Sequence, residues 1–341
     1  MARRSRPGLT DIAREAGVSV ATASRALSQP ELVRDDTLER VLAVARSLGY
    51  VPDRAARALA SGRTSTVGVV IPTLNSPVFA STLQEMQRNL AEAGFQLLVA
   101  SHEYDPASEL AAVEKLLSHG VDGLVLVGGD RLEATWRMID AAGVPILQMW
   151  CGRDDHPIVG VDNHLAGLLV ARHLLELGHR RIGVITGNLR HNDRQAERLR
   201  GIRAALAEAG LSLPAAHVTE QPLSVPGGRG GCAVLLELAD RPTAIIGTVD
   251  VIAIGAMAEC QARGIRVPSD ISVAGIDNVE LAAHVSPSLT TVNIPSEGIG
   301  AQTVAAMLRQ ISGGGRPESI VLPIELVERH SSALPRRKPS G

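Results

Sequence analysis

The 341-residue chain is poor in aromatic residues, with two each of Trp, Tyr and Phe. Its cores must be built from Val, Leu, Ile and Ala instead. It has three cysteines, Cys151, Cys232 and Cys260. An odd number without metal-type spacing argues against a disulfide framework and fits a reducing compartment. No run of about 18 apolar residues occurs, so no transmembrane helix is expected. The start, MARRSRPGL, has the charges of a signal peptide but no apolar stretch behind them. A cytoplasmic location is expected. Catalytic signatures are missing too. VLVGGD (125–130) is not GxGxxG, and no GKS or GKT occurs. The histidines are dispersed without metal-ligand spacing, and Cys151 has no evident His–Asp partners. Cys232 and Cys260 fall in apolar helical stretches and read as core. Neither an enzyme, a metal nor a cofactor is expected.

What is present is unevenly spread. Net charge is only −2, but residues 1–66 hold eleven arginines and no lysine against seven acids, or +4. The remaining 23 basic and 29 acidic residues give −6. A small basic head on an acidic body suits anion binding, since phosphate contacts need concentrated positive charge.

From Val67 onward, short runs that are apolar throughout alternate with longer helical stretches. VGVVIP, FQLLVA, VDGLVLVG and VPILQM are strands separated by helices, several closed by glycine. The alternation starts again near residue 166 with RIGVIT, TAIIG and ISVAGID as strands. The fold class is therefore α/β, with two doubly wound parallel-sheet lobes and a cleft between them.

Ahead of Val67, short helical stretches replace this pattern. Thr10 is placed to cap TDIAREAG and Ser19 to cap SVATASRALS, with a tight turn at Gly17 between them. Ile12, Ala13, Ala16, Val18, Ala23 and Leu27 supply a shared core. A third helix, 35–50, puts Val41, Leu42, Ala45 and Leu48 on one face. Helix, turn and helix of this kind form the helix-turn-helix, whose second helix enters the DNA major groove. The small, nearly uncharged SVATASRALS then has a reason: small side chains let a helix backbone approach the groove. A packing hairpin without DNA is the alternative reading.

LTDIAREAGVSVATASRAL (9–27), GYVPDRAARALASG (49–62), TVGVVIPTLNSPVF (66–79), RLRGIRAAL (198–206) and VPSDISVAGIDN (267–278) together resemble the LacI/GalR-type family of bacterial transcriptional repressors. The resemblance runs through essentially the whole chain in order. It implies a headpiece over 1–52, a hinge helix and linker over 53–66, and a two-lobed core of periplasmic-binding-protein type. The first lobe is expected over 67–162 with 290–321, the second over 163–289 with 322–331, and a disordered tail after that. Implied partners are palindromic double-stranded operator DNA, a small effector in the cleft and a second copy of the chain as homodimer. Carried over by position, Val20 and Ala21 read bases through apolar contact, and Arg25 is the polar reader, able to pair with guanine O6 and N7. Thr10, Ser19, Thr22 and Ser24 match positions that touch phosphate or cap helices. Leu59 matches a minor-groove wedge, with Arg54 and Arg57 on phosphates. Phe79, Arg198 and Asp277 match effector contacts, and Arg194 joins them from the basic loop 188–198, which otherwise reads as solvated surface. Val249 replaces a usual Asn, and Trp150 a usual polar residue. These features favour a gluconate-like sugar acid over a neutral sugar. A solute-binding transport receptor is the alternative function.

Overall fold

The computed structural model describes residues 7–50 and 62–336. The expected hinge residues Arg54, Arg57 and Leu59 lie outside that set. The chain divides into two compact units, Met1–Thr64 and Ser65–Gly341.

The first unit contains α1 (Leu9–Ala16), α2 (Val20–Ser28) and α3 (Asp35–Ser47). Gly17 ends α1 with φ 64°, a left-handed conformation that glycine adopts without strain. The expected cap at Thr10 is corrected. Gly8 holds the cap position, and its N–H donates to Asp11 Oδ2 at 2.9 Å, so Thr10 already lies in the first turn. At α2 the Ser19 hydroxyl accepts from the Thr22 N–H at 3.1 Å. Ile12, Ala13, Ala16, Ala23, Ala26, Val41 and Ala45 form the buried core, with Val18, Leu27, Leu38, Val44 and Leu48 against it. Leu38 and Val44 take the part expected of Leu42. Five alanines at this core keep the three helices close together.

The second unit contains two six-stranded sheets among the described residues. One runs β11-β5-β4-β3-β1-β2, from β1 (Thr66–Ile71), β2 (Gln96–Ser101), β3 (Gly123–Val127), β4 (Ile146–Trp150), β5 (Ile158–Gly160) and β11 (Ile320–Val321). The other runs β12-β10-β9-β8-β6-β7, from β6 (Ile182–Thr186), β7 (Val218–Glu220), β8 (Ala244–Gly247), β9 (Ser272–Asp277), β10 (Thr290–Asn293) and β12 (Glu325–Val327). All pairings are parallel except β10 with β12. β3, β4 and β6 are buried at every residue, which is why their sequences do not alternate. The chain passes between the sheets three times, after β5, after β10 and between β11 and β12. The expected lobe boundary at residue 290 is corrected: Thr290–Asn293 pairs with β9, so that segment still belongs to the second sheet.

Two helices of the second lobe, α7 (Asn163–Glu176) and α8 (Asp193–Glu208), cross at near contact. A Cβ at Gly167 would lie 1.9 Å from the Arg198 carbonyl oxygen, and one at Gly201 1.9 Å from that of His164. No side chain fits at either point. Gly167→Ala should force the helices apart and cost about 1–3 kcal/mol, the usual range for overpacking. A urea melt with an unchanged midpoint would refute this. In the same lobe, Cys232 on α9 (Val225–Leu236) and Cys260 on α10 (Asp250–Ala262) are buried free thiols, with sulfurs 3.7 Å apart.

Candidate functional site

Each sheet has the order 2-1-3-4-5-6 in its own strand sequence, with a switch point between its first and third strands. Ligands of such sheets bind outside the carboxyl ends of the strands at that point. The cavity found here is lined from those ends of both sheets. The first lobe contributes Thr73 and Asn75 to Phe79 after β1, Tyr104 after β2 and Trp150 at the end of β4. The second contributes Asn192, Arg194, Gln195 and Arg198 of the β6–α8 connection and α8, Leu223 after β7, Val249 after β8, and Asp277 closing β9. Its volume is about 60 Å³, space for only a few waters. A ligand much larger than that needs the lobes to part.

All six residues expected in the cleft, Phe79, Trp150, Arg194, Arg198, Val249 and Asp277, line this one cavity. The phenyl and indole rings of Phe79 and Trp150 meet edge to face, 5.4 Å between centroids. The backbone around them is strained. Trp150 has φ 72°, Tyr104 61°, Asp277 131° and Asn278 55°. Non-glycine residues rarely adopt such angles, and strain of roughly 1–3 kcal/mol each collects at functional sites.

Arg198 organises the second-lobe wall. Its Nη1 donates to Asp277 Oδ1 at 2.9 Å and to the Thr248 carbonyl at 2.7 Å, while Nε donates to Asn163 Oδ1 at 3.1 Å. Asn163 in turn donates to the Trp150 carbonyl at 3.3 Å, tying this wall to the first lobe. Burial pushes the Asp277 carboxyl above its ordinary range, and Arg198 works against that push. Behind it, Asp250 is buried and accepts from the Val279 N–H at 2.9 Å and from the Thr291 hydroxyl at 2.5 Å. Burial, then the Asp277 charge, raise its carboxyl as well.

The basic loop is not a solvated surface where it meets the cleft: Arg194 and Arg198 are both buried. Arg194 Nη1 donates to Asp193 Oδ1 at 2.9 Å. Asp193 Oδ2 accepts from the Gly129 N–H at 2.6 Å, so the start of α8 docks on the first lobe. Burial works against the Asp193 charge, but Arg194 and Gly129 outweigh it and hold the carboxyl below its usual range. Burial, then Asp193, raise the Cys151 thiol.

Composition and motif left Tyr104, Asn192 and Gln195 unmarked as cleft residues. Their signal was positional only, each following a strand or opening a helix at the sheets' carboxyl edge.

Beside the cleft, His102 is buried with neither ring nitrogen bonded, and burial followed by Arg194 and Arg131 lowers it from 6.5 to about 4. The unfolded chain therefore takes up this proton first as pH falls. Stability should drop between pH 6.5 and 4 by roughly 3 kcal/mol from this group. His102→Gln should flatten urea-melt stabilities across that window, and an unaltered slope would exclude the assignment.

On the headpiece, Val20, Ala21, Ser24 and Arg25 are exposed along one face of α2, while Ala23 and Ala26 face the core. Val20 is 45% exposed. Among the described residues no acidic side chain pairs with Arg25 in a salt bridge. Thr10 and Ser19 are also exposed, and Thr22 is half-buried.

A helix-turn-helix with an open second-helix face, in one chain with a two-lobed α/β core around a cavity, defines a DNA-binding transcriptional regulator. Comparison with known proteins specifies the family. Residues 8–53 match bacterial regulatory proteins of the lacI family, and residues 171–332 match a periplasmic-binding-protein-like domain. The chain is 32% identical to the ribose operon repressor of Haemophilus influenzae over 304 residues, covering 89% of this chain and 91% of that one. It superposes on the lac repressor dimer bound to operator and the anti-inducer ONPF with TM-score 0.85, at 28% identity, covering 96% and 100% of the chains. A complex of the regulator CelR with cellobiose gives TM-score 0.72 at 30% identity, covering 96% and 100%. The chain belongs to the lacI family; it is a transcriptional regulator and not an enzyme. Among the described residues, no helix is long and apolar enough to cross a membrane.

Proposed function

We propose that this regulator is a cytoplasmic homodimer that represses carbohydrate or sugar-acid genes by binding a palindromic operator, and that a small effector between the lobes alters its operator affinity. The cavity at the carboxyl ends of both sheets carries the effector half of this reading. Phe79, Trp150, Arg194, Arg198, Val249 and Asp277 are its contacts, and a relative in complex with cellobiose lends support. The DNA half uses the exposed α2 face. Val20 and Ala21 meet thymine methyls, Arg25 reads guanine, and Thr10, Ser19, Thr22 and Ser24 hold phosphates or fix helix ends. Leu59 acts as the minor-groove wedge, with Arg54 and Arg57 on the flanking phosphates. The operator's two-fold symmetry matches that of the dimer.

Selection from random duplexes tests this directly. Inverted repeats should be enriched, and Arg25→Ala should relax the preference at one position per half-site, costing about 1–3 kcal/mol there. Uniform weakening across all sequences would instead make Arg25 a phosphate contact.

A further inference from the structure

We infer that the cleft selects an uncharged, hydroxyl-rich ligand over its acid counterpart, with the Trp150 indole N–H and the Asn192 side-chain carbonyl as specificity-determining partners. This rests on the effector reading above and decides between the two ligand classes it leaves open.

The first ground is charge. Arg194 and Arg198 are the positive side chains at the cavity, and both are committed. Arg194 is bonded to Asp193 and Arg198 to Asp277, each at 2.9 Å. Asp250 lies behind Asp277, its carboxylate bonded to the Val279 N–H of the cavity wall. Each guanidinium thus already has its own carboxylate partner, and Asp250 places a further carboxyl group behind them. A ligand carboxylate would enter a water-poor space where no positive charge awaits a partner. It would add a negative charge beside Asp193 and Asp277, and burying an unpaired charge is costly. A ligand ammonium would face the two guanidinium groups. An uncharged molecule avoids both.

The second ground is hydrogen bonding. Trp150 Nε1 and Asn192 Oδ1 are buried atoms without any partner, on side chains that line the cavity. Trp150 and Asn192 are 1% and 3% exposed. Buried polar groups are normally bonded, so each unpaired one calls for a partner. The indole N–H only donates and the amide oxygen only accepts. Their common complement is a ligand carrying both an oxygen acceptor and an O–H donor, as a polyol or sugar does. The first lobe supplies the donor and the second the acceptor, so a ligand meeting both bridges the cleft. Trp150 then serves through its N–H as well as its ring face.

The test uses the full chain and matched probes: glucose, galactose, ribose and cellobiose, with gluconate, galactonate, ribonate and cellobionate, and glucosamine as the cationic probe. Thermal shift finds binders, and calorimetry gives their affinities. In the pair that binds, the neutral member should bind at least tenfold more tightly than its acid. Trp150→Phe, which keeps a ring against Phe79 but removes the N–H, should weaken that neutral probe about tenfold. The ligand-free melting temperature of the variant monitors folding, and Asn192→Leu repeats the test from the other lobe. An acid or the amine binding more tightly than its neutral counterpart overturns the inference while leaving an effector site in place. Unchanged affinity in both variants overturns the assignment of the two residues. If no probe shifts either melting or operator affinity, the effector reading itself fails, and the inference with it.

Discussion

Removing residues 1–64 is expected to abolish specific operator binding while leaving the cleft able to bind its ligand. The unit boundary falls after Thr64, so the cut leaves every strand of the second unit in place. The truncated core also loses the chain's basic excess and keeps a net charge of −6. Phosphate contacts dominate DNA affinity, and an acidic body repels the duplex. The expected loss is at least the specific-to-non-specific ratio of such proteins, about 10³-fold. Fluorescence anisotropy on a selected operator measures it, and calorimetry on the same preparation checks the cleft. Sequence-specific binding by the core alone would overturn the assignment of DNA reading to α2.

Arg198→Ala is the second large effect, and it acts through Asp277. Both members of this pair are buried, with side chains 3% and 6% exposed. Deleting the guanidinium strands a carboxylate in the interior and also empties bonds to Thr248 and Asn163. Breaking a buried pair in this way costs about 3–5 kcal/mol. Adding Asp277→Asn should recover part of the stability, because the remaining group no longer carries charge. It should not restore the ligand response, since the link from Asp277 through Asn163 to Trp150 stays broken. A single variant as stable as the parent, or a double variant with normal response, would count against Arg198 as the organiser of the cleft.

The architecture was legible because its strands are uniformly apolar and its helices end in glycine. β5 and β7 are three residues long and carry no periodicity, so nothing marked them. The lobe boundary was misplaced for a related reason: LTTVNIP reads as extended whichever sheet it joins, and only pairing with β9 assigns it. Six cleft residues were reachable through a family resemblance. The arrangement that gives them meaning was not, because an arginine in sequence looks the same free or paired. Asp193 beside Arg194, and Asp277 seventy-nine positions from Arg198, turn an apparently basic site into a balanced one. The bland α2 segment was better read: its inward Ala23 and Leu27 follow from helical spacing, and the outward Val20, Ala21 and Arg25 from the family resemblance.

The three passages between the sheets also set an order of assembly during synthesis. The sheet begun at Thr66 is not complete until Ile320–Val321 has been made, and the other waits for Glu325–Val327. The three-helix unit needs only its first 64 residues. At about 5–20 residues per second, the remaining chain takes roughly 14–55 s. Stalled chains should therefore carry a protease-resistant head while both lobes are still cleavable, so the DNA-reading part matures before anything that can govern it.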